Sequence, residues 1–220
     1  MASTLKRRRI IVLVHQSLIP PEDISTLSPA EIAPFKTEFD VREGLRWLGH
    51  DVKVVGLSDE LAPLRTAIEE FKPHVVFNLL EEFDGEAIFD AHVVGYLELQ
   101  RTAYTGCNPR GLLLARDKAL SKKVLAYHRI RVPRFRVFPR YRKIKRPARL
   151  EFPLIVKSLI EEGSYGIAQA SLVNSDKAFE ERVSFIHDKI RTDAVVEQYI
   201  PGRELYVSVL GNHRLQVLPT

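Results

Sequence analysis

Cysteine, methionine and tryptophan each occur once in this 220-residue chain. With Cys107 alone, an internal disulfide and a cysteine-rich metal site are both excluded, which fits a reducing, cytoplasmic setting. No apolar run approaches the roughly 20 residues that cross a bilayer, so no membrane partner is expected. The basic opening Lys6-Arg7-Arg8-Arg9 leads only into the short apolar run Ile10-Ile11-Val12-Leu13-Val14 before His15, too little for the core of a secretory signal. No Gly-x-Gly-x-x-Gly follows that first run, and no Walker A sequence occurs anywhere, which disfavours dinucleotide and P-loop sites. The seven histidines are scattered without metal-ligand spacing, and no metal site is expected within this chain. Ser121 and Ser164 lack the sequence context of a hydrolase nucleophile.

What remains is an ordinary globular composition. The chain is 45% hydrophobic and 28% charged, enough to bury a core in one or two domains. Its net charge of +5 and isoelectric point near 9.3 favour anions. Much of the excess sits in Lys6 to Arg9 and in Arg140-Tyr141-Arg142-Lys143-Ile144-Lys145-Arg146, with Arg149 beyond. Such a run fits a solvated loop or, as an alternative, a nucleic-acid-binding surface over Arg140 to Arg149; without repeated aromatic platforms nucleic acid is the lesser reading.

Ile10 to Val14 is continuously apolar, as a buried parallel strand is. Leu18 to Pro34, rich in Pro and Ser, reads as a long loop. From Phe35 to Leu48 the side chains Phe39, Val41, Leu45 and Leu48 fall near helical spacing, and Asp51 to Val55 reads as the next strand. Leu61 to Phe71 predicts a second helix, His74 to Phe77 a third strand, and Glu86 to Glu98 a further helix. Alternation at these lengths implies a small doubly wound parallel sheet. Ligands of such sheets sit beyond the carboxyl ends of the strands. That singles out His15 after the first strand and Asn78, Glu81, Glu82, Asp84 and Glu86 after the third. His15 and Asn78 can hydrogen-bond a polar substrate and the acids can receive an amine; equally, Asn78 can cap a turn and the acids can decorate a loop.

Downstream, Asp117 to Leu125 predicts a helix carrying Lys118 and Lys122, and Arg131 to Phe138 a strand. Phe152 to Val156 is an apolar strand that delivers Lys157, and Glu162-Gly163-Ser164-Tyr165-Gly166 is a glycine-flanked turn whose amides and hydroxyl can meet phosphate oxygens. A further strand from Ala194 ends in Glu197-Gln198-Tyr199-Ile200, turns at Pro201-Gly202, and is expected to resume over Arg203-Glu204-Leu205-Tyr206-Val207. These residues fit a nucleotide site, and they also fit a surface hairpin with a charged rim.

Taken in order, Leu113 to Lys118 with Ser121-Lys122, Phe152 to Lys157, Glu161 to Gly166, and Val196-Glu197-Gln198-Tyr199-Ile200-Pro201-Gly202-Arg203-Glu204 resemble the ATP-grasp superfamily, in particular D-alanine–D-alanine ligase and its relatives. The resemblance covers nearly the whole chain, including Tyr104-Thr105-Gly106. It implies a doubly wound N-terminal substrate-side domain (1–108), an α+β ATP-grasp lid subdomain (109–200) and the start of a C-terminal ATP-grasp sheet, truncated here (201–220). It also implies that Lys122 and Lys157 contact ATP phosphates, that Gly163, Ser164, Tyr165 and Gly166 form the lid, and that Glu197 accepts from the adenine amino group. The backbone of Gln198, Tyr199 and Ile200 would read the ring edge, and Glu204 would bind the ribose. The implied reaction forms an acyl phosphate from a carboxylate and ATP, then an amide with an amine. The substrate would be a small amino acid or peptide, and homodimerisation is an expectation by resemblance.

Departures from the family concern the substrate. His15-Gln16-Ser17 stands where the family carries a glutamate, Asn78-Leu79 where it carries His-Gly, and Glu81 to Glu86 where it carries Gly-Glu-Asp-Gly. The magnesium ligands of the family lie on later strands, so magnesium is expected only in a complete protein and this chain by itself is expected to be catalytically inactive. The alternative is an ATP-binding domain of this fold without ligase activity.

Overall fold

A computed structural model describes residues 6–161 and 166–220. They form two compact units: the first runs through Val124 and takes in Ile160 and Glu161, and the second holds Leu125–Leu159 and the rest of the chain.

Unit 1 is built on a three-stranded parallel sheet of order β2-β1-β3, with β1 at Arg9–His15, β2 at Asp51–Leu57 and β3 at Val75–Asn78. Its register aligns Leu13 with Val55 on one side and with Asn78 on the other. Both faces of β1 are buried, since Ile10 to Val14 are all at most 4% exposed, which is why that run is continuously apolar rather than alternating. One face, with Ile11 and Leu13, packs against Leu64 and Ala67 of helix α3 and Val93 and Leu97 of helix α4. The helices of this unit are α1 (Pro29–Ile32), α2 (Lys36–Trp47), α3 (Ala62–Phe71), α4 (Asp90–Leu99), α5 (Pro109–Arg116) and α6 (Lys118–Tyr127), the last running into unit 2. Asn108 starts α5 by accepting from the Gly111 amide at 2.8 Å, and Asp117 Oδ1 starts α6 by accepting from the amides of Ala119 and Leu120, both as N-caps do.

One expectation for this unit is corrected. The stretch before Pro34 is not all loop, because Ser28 and Glu31 form a reciprocal capping box that nucleates α1. In α2 the most buried side chains are Glu38 and Arg42, while Phe39, Val41 and Leu45 are half-buried and Leu48 is 40% exposed. Arg42 is accommodated because its guanidinium donates to the carbonyls of Pro20 and Pro21, at 3.0 and 2.8 Å, and to Glu43. A buried charge with its donors satisfied outcompetes the apolar stripe for the covered face.

Unit 2 is an antiparallel sheet of order β4-β7-β5-β6, made of β4 (Phe135–Phe138), β5 (Leu154–Ser158), β6 (Leu172–Val173) and β7 (Ala194–Gln198). Helix α7 (Asp176–Phe185), extended by a π-turn over Ile186–Ile190, covers it. Phe179, Val183 and Ile186 meet Leu154, Val156 and Val196 in the core, and Phe138 stands edge-on to Phe179 at 5.1 Å. The β4 strand is shorter than expected, since Pro133 has no amide to donate and β7 has ended by Gln198, whose amide donates to Arg134 O.

The strand expected over 203–207 does not form. Strand β7 has β4 on one edge and β5 on the other, so neither side of its backbone is open to a third partner. Leu205, Tyr206 and Val207 are exposed, and pairing resumes only in a short hairpin of β8 (Val209–Leu210) and β9 (Gln216–Val217). The α/β architecture of a parallel-sheet unit, a mixed lid and a small C-terminal sheet is as expected. Among the described residues no helix is long and apolar enough to cross a membrane.

Candidate functional site

Each unit brings together some of the residues singled out above. In unit 1 the carboxyl ends of β1 and β3 open into a cavity of about 670 Å³ lined by His15, Asn78, Glu81 and Glu82, together with Glu38 and Asp90. Two local features hold its walls. His15 caps a 3-10 turn over Gln16–Leu18: its Nδ1 accepts from the Ser17 amide and lies 2.7 Å from Ser17 Oγ, which leaves the ring proton on Nε2, 3.5 Å from Glu82 Oε1. This turn folds against Gly56 of β2, where a Cβ would fall 2.6 Å from Ile19 Cδ1 and 3.0 Å from Gln16 Cα. Asn78 forms an Asx turn, its Oδ1 accepting from the Leu80 amide at 3.2 Å, and its own amide donates to Thr105 Oγ1 at 3.0 Å. The turn-capping role open to Asn78 in the sequence is therefore one it performs, while it also lines the cavity.

Glu86 does not line this cavity. It closes a tight turn with Phe83 through paired backbone bonds of 3.0 and 3.2 Å, with Asp84 and Gly85 both at positive φ. Glu38 and Asp90 are the residues that sequence reasoning missed. Asp90 Oδ2 accepts from Arg116 Nη2 at 2.5 Å in a pair whose side chains are 5% and 4% exposed, and the same nitrogen donates to Glu81 O at 3.5 Å. In sequence each is an acid in the first turn of a helix, an ordinary place for one, and nothing there points to burial or, for Asp90, to a partner 26 positions away.

In unit 2 the register sets Ile155 opposite Glu197 and Lys157 opposite Val195, so Lys157 and Glu197 are diagonal neighbours on one face of the sheet. Lys157 Nζ donates to Glu197 Oε1 at 2.6 Å; the Glu197 side chain is 6% exposed and that of Lys157 is 26% exposed. At the end of β7, the amides of Gln198 and Tyr199 donate to Arg134 O and Pro153 O. Among the described residues the Ile200 amide donates to none, so it is the one N–H of Gln198-Tyr199-Ile200 left for another acceptor. Glu204 is exposed in the unpaired segment.

Gly163, Ser164 and Tyr165 lie outside the described residues. Gly166 is described: its φ is +72°, a Cβ there would sit 3.0 Å from Ile190 Cδ1, and its carbonyl accepts from Arg182. Arg182 is largely buried, and burial lowers its guanidinium below the ordinary arginine value. Lys122 is half-buried on α6 in unit 1, and Lys118 there donates to Glu161 O. Of the basic run, Arg146 pairs with Asp176 at 2.6 Å and Arg140 donates to Arg191 O, while Arg142, Lys143 and Lys145 line a shallow groove with Arg136. Among the described residues no three His, Cys, Asp or Glu side chains are grouped to hold a metal ion.

The D-alanine–D-alanine ligase of Coxiella burnetii shares the fold with a TM-score of 0.66 at 21% identity, over 96% of this chain and 69% of that one. Residues 123–220 match the family described as D-ala D-ala ligase C-terminus. The D-alanine–D-alanine ligase of Syntrophotalea carbinolica is 31% identical over 87% of this chain and 59% of its own length. The uncharacterized protein y4sG of Sinorhizobium fredii is 36% identical over 71% of this chain and 47% of its own. The chain thus belongs to the D-alanine–D-alanine ligase-like family of the ATP-grasp superfamily. It spans about half the length of these curated relatives.

Proposed function

We propose that the protein is an ATP-dependent ligase of the cytoplasm that joins the carboxylate of one small amino acid or peptide to the amine of another. The observation that carries this reading is the Lys157–Glu197 pair. Lysine supplies a donor and a positive charge for phosphate oxygens, and a buried carboxylate 2.6 Å away supplies an acceptor for the amino group of a purine. The Ile200 amide suits a ring nitrogen and Glu204 a ribose hydroxyl. When bound, ATP supplies the phosphoryl group that activates a carboxylate for attack by an amine. This chain's own residues bind and orient the nucleotide, and Gly166, whose carbonyl accepts from Arg182, ends the glycine-flanked stretch expected to cover its phosphates. Magnesium would be held by residues of the complete protein outside 1–220.

The test is calorimetric titration of ATP into the chain and into Lys157→Ala, followed by an assay of amino-acid-dependent phosphate release by the full-length protein. ATP binding weakened about tenfold or more in the variant is expected, the scale of one charge-assisted contact. Equal affinity in a folded Lys157→Ala would remove the pair from the nucleotide site. ATP binding without amino-acid-dependent phosphate release would leave a nucleotide-binding domain and no ligase.

A further inference from the structure

The unit 1 cavity is acidic in a chain of net positive charge. Glu38, Glu81, Glu82 and Asp90 line it, no lysine or arginine does, and His15 faces Glu82 with a ring proton. Two of the carboxylates, Glu38 and Asp90, are largely buried and keep hydrogen-bonding capacity that the fold does not use. Glu38 is 7% exposed and makes no hydrogen bond or ion pair among the described residues. Asp90 is 4% exposed, and its Oδ1 is buried with no hydrogen-bond partner there, its other oxygen being taken by Arg116. Buried acceptors left in this state are costly unless a donor meets them. Among the described residues no three of these side chains are grouped to hold a metal ion, whereas an ammonium group needs only one or two acceptors.

The acids instead fall in two tiers. Glu38 and Asp90 are covered by the fold, while Glu81 is exposed and the Glu82 side chain is 44% exposed at the rim. About 670 Å³ is within the range of small-molecule sites, large enough for an extended molecule that reaches both tiers.

From this we infer that the unit 1 cavity binds an organic dication, a diamine or an amino acid with a basic side chain, one amino group meeting Glu38 and Asp90 and the other meeting Glu81 and Glu82. Leu18, Leu80 and Leu112 in the same wall would cover the methylene chain between them. That this ligand is a substrate rests on the ligase reading; that it binds does not.

The experiment is calorimetric titration of the whole chain with lysine, ornithine and 1,4-diaminobutane, against alanine and glutamate, with magnesium chloride alone as a further probe. The basic probes should bind at least about tenfold more tightly than alanine, and Glu38→Gln should weaken them by about tenfold, one charge-assisted hydrogen bond's worth. Glu82→Gln, at the half-exposed rim, tests the second tier without touching the core and should give a smaller loss. Tighter binding of diaminobutane than of lysine would mark a diamine site, and the reverse order a dibasic amino acid. Alanine or glutamate binding as tightly as lysine, basic-probe affinity unchanged in a folded Glu38→Gln, or saturable magnesium binding that Glu38→Gln abolishes would each overturn the inference. ATP is titrated into the same samples. ATP binding without preference for the basic probes sinks this inference and leaves the ligase reading standing, whereas that preference without ATP binding sinks the ligase reading alone.

Discussion

Lys157 and Glu197 are 40 residues apart in sequence and 2.6 Å apart in space, on neighbouring antiparallel strands. Glu197 is almost fully buried, and Lys157 pairs with it there. Replacing Lys157 by alanine should therefore weaken nucleotide binding and also lower the free energy of unfolding by about 2–3 kcal/mol, below the roughly 3–5 kcal/mol of a fully buried pair because Lys157 is a quarter exposed. Urea denaturation of Lys157→Ala measures it. A loss below about 0.5 kcal/mol would mean that water screens the pair as at an open surface.

The buried pair in unit 1 should weigh more. Arg116→Leu leaves Asp90 charged and enclosed, with an expected loss of about 3–5 kcal/mol. The double variant Arg116→Leu with Asp90→Leu removes both charges and should recover part of that loss. A double variant as unstable as the sum of both single ones would show that the two side chains act independently.

Gly166 has two reasons to be glycine, its left-handed backbone and the 3.0 Å approach to Ile190. Gly166→Ala should cost about 1–3 kcal/mol in unfolding free energy. Adding Ile190→Ala relieves only the contact, so a fully neutral double variant would argue against the backbone contribution.

Tyr104, packed against the core of unit 1, sets an alkaline limit on stability. Burial, with the hydrogen bond its hydroxyl donates to Glu98 at 2.8 Å, pushes its ionisation up to about 12. An unfolded tyrosine ionises near pH 10, so the folded chain holds the proton where the unfolded chain has lost it. The stabilisation is complete below about pH 10 and is lost as pH rises from there to about 12. Urea midpoints measured across that window should fall more steeply for the natural chain than for Tyr104→Phe; parallel curves would contradict it.

The sheet of unit 1 was legible because buried parallel strands are written as unbroken apolar runs, and Ile10 to Val14 is such a run. Lys157 and Glu197 were legible because strand-terminal charges after apolar runs stand out. Glu38, Arg42 and Asp90 were not: helical periodicity reports an apolar stripe, and a buried charge is admitted only by donors supplied from elsewhere, such as the Pro20 and Pro21 carbonyls for Arg42 and Arg116 for Asp90. The segment 203–207 misled for a related reason. After the turn at Pro201-Gly202 it is expected to pair back along β7 as a hairpin, but both edges of β7 are occupied.

By itself the amino-acid order determined the alternation of strands and helices in unit 1, the family, and the residue types offered to a nucleotide, since these depend on local pattern and on motifs read in series. Tertiary structure alone decided that Lys157 meets Glu197, that Glu86 turns away from the cavity its neighbours line, and that Glu38 and Asp90 stand buried within that wall. Register, edge occupancy and burial are properties of pairs of segments distant in sequence, and no single segment carries them.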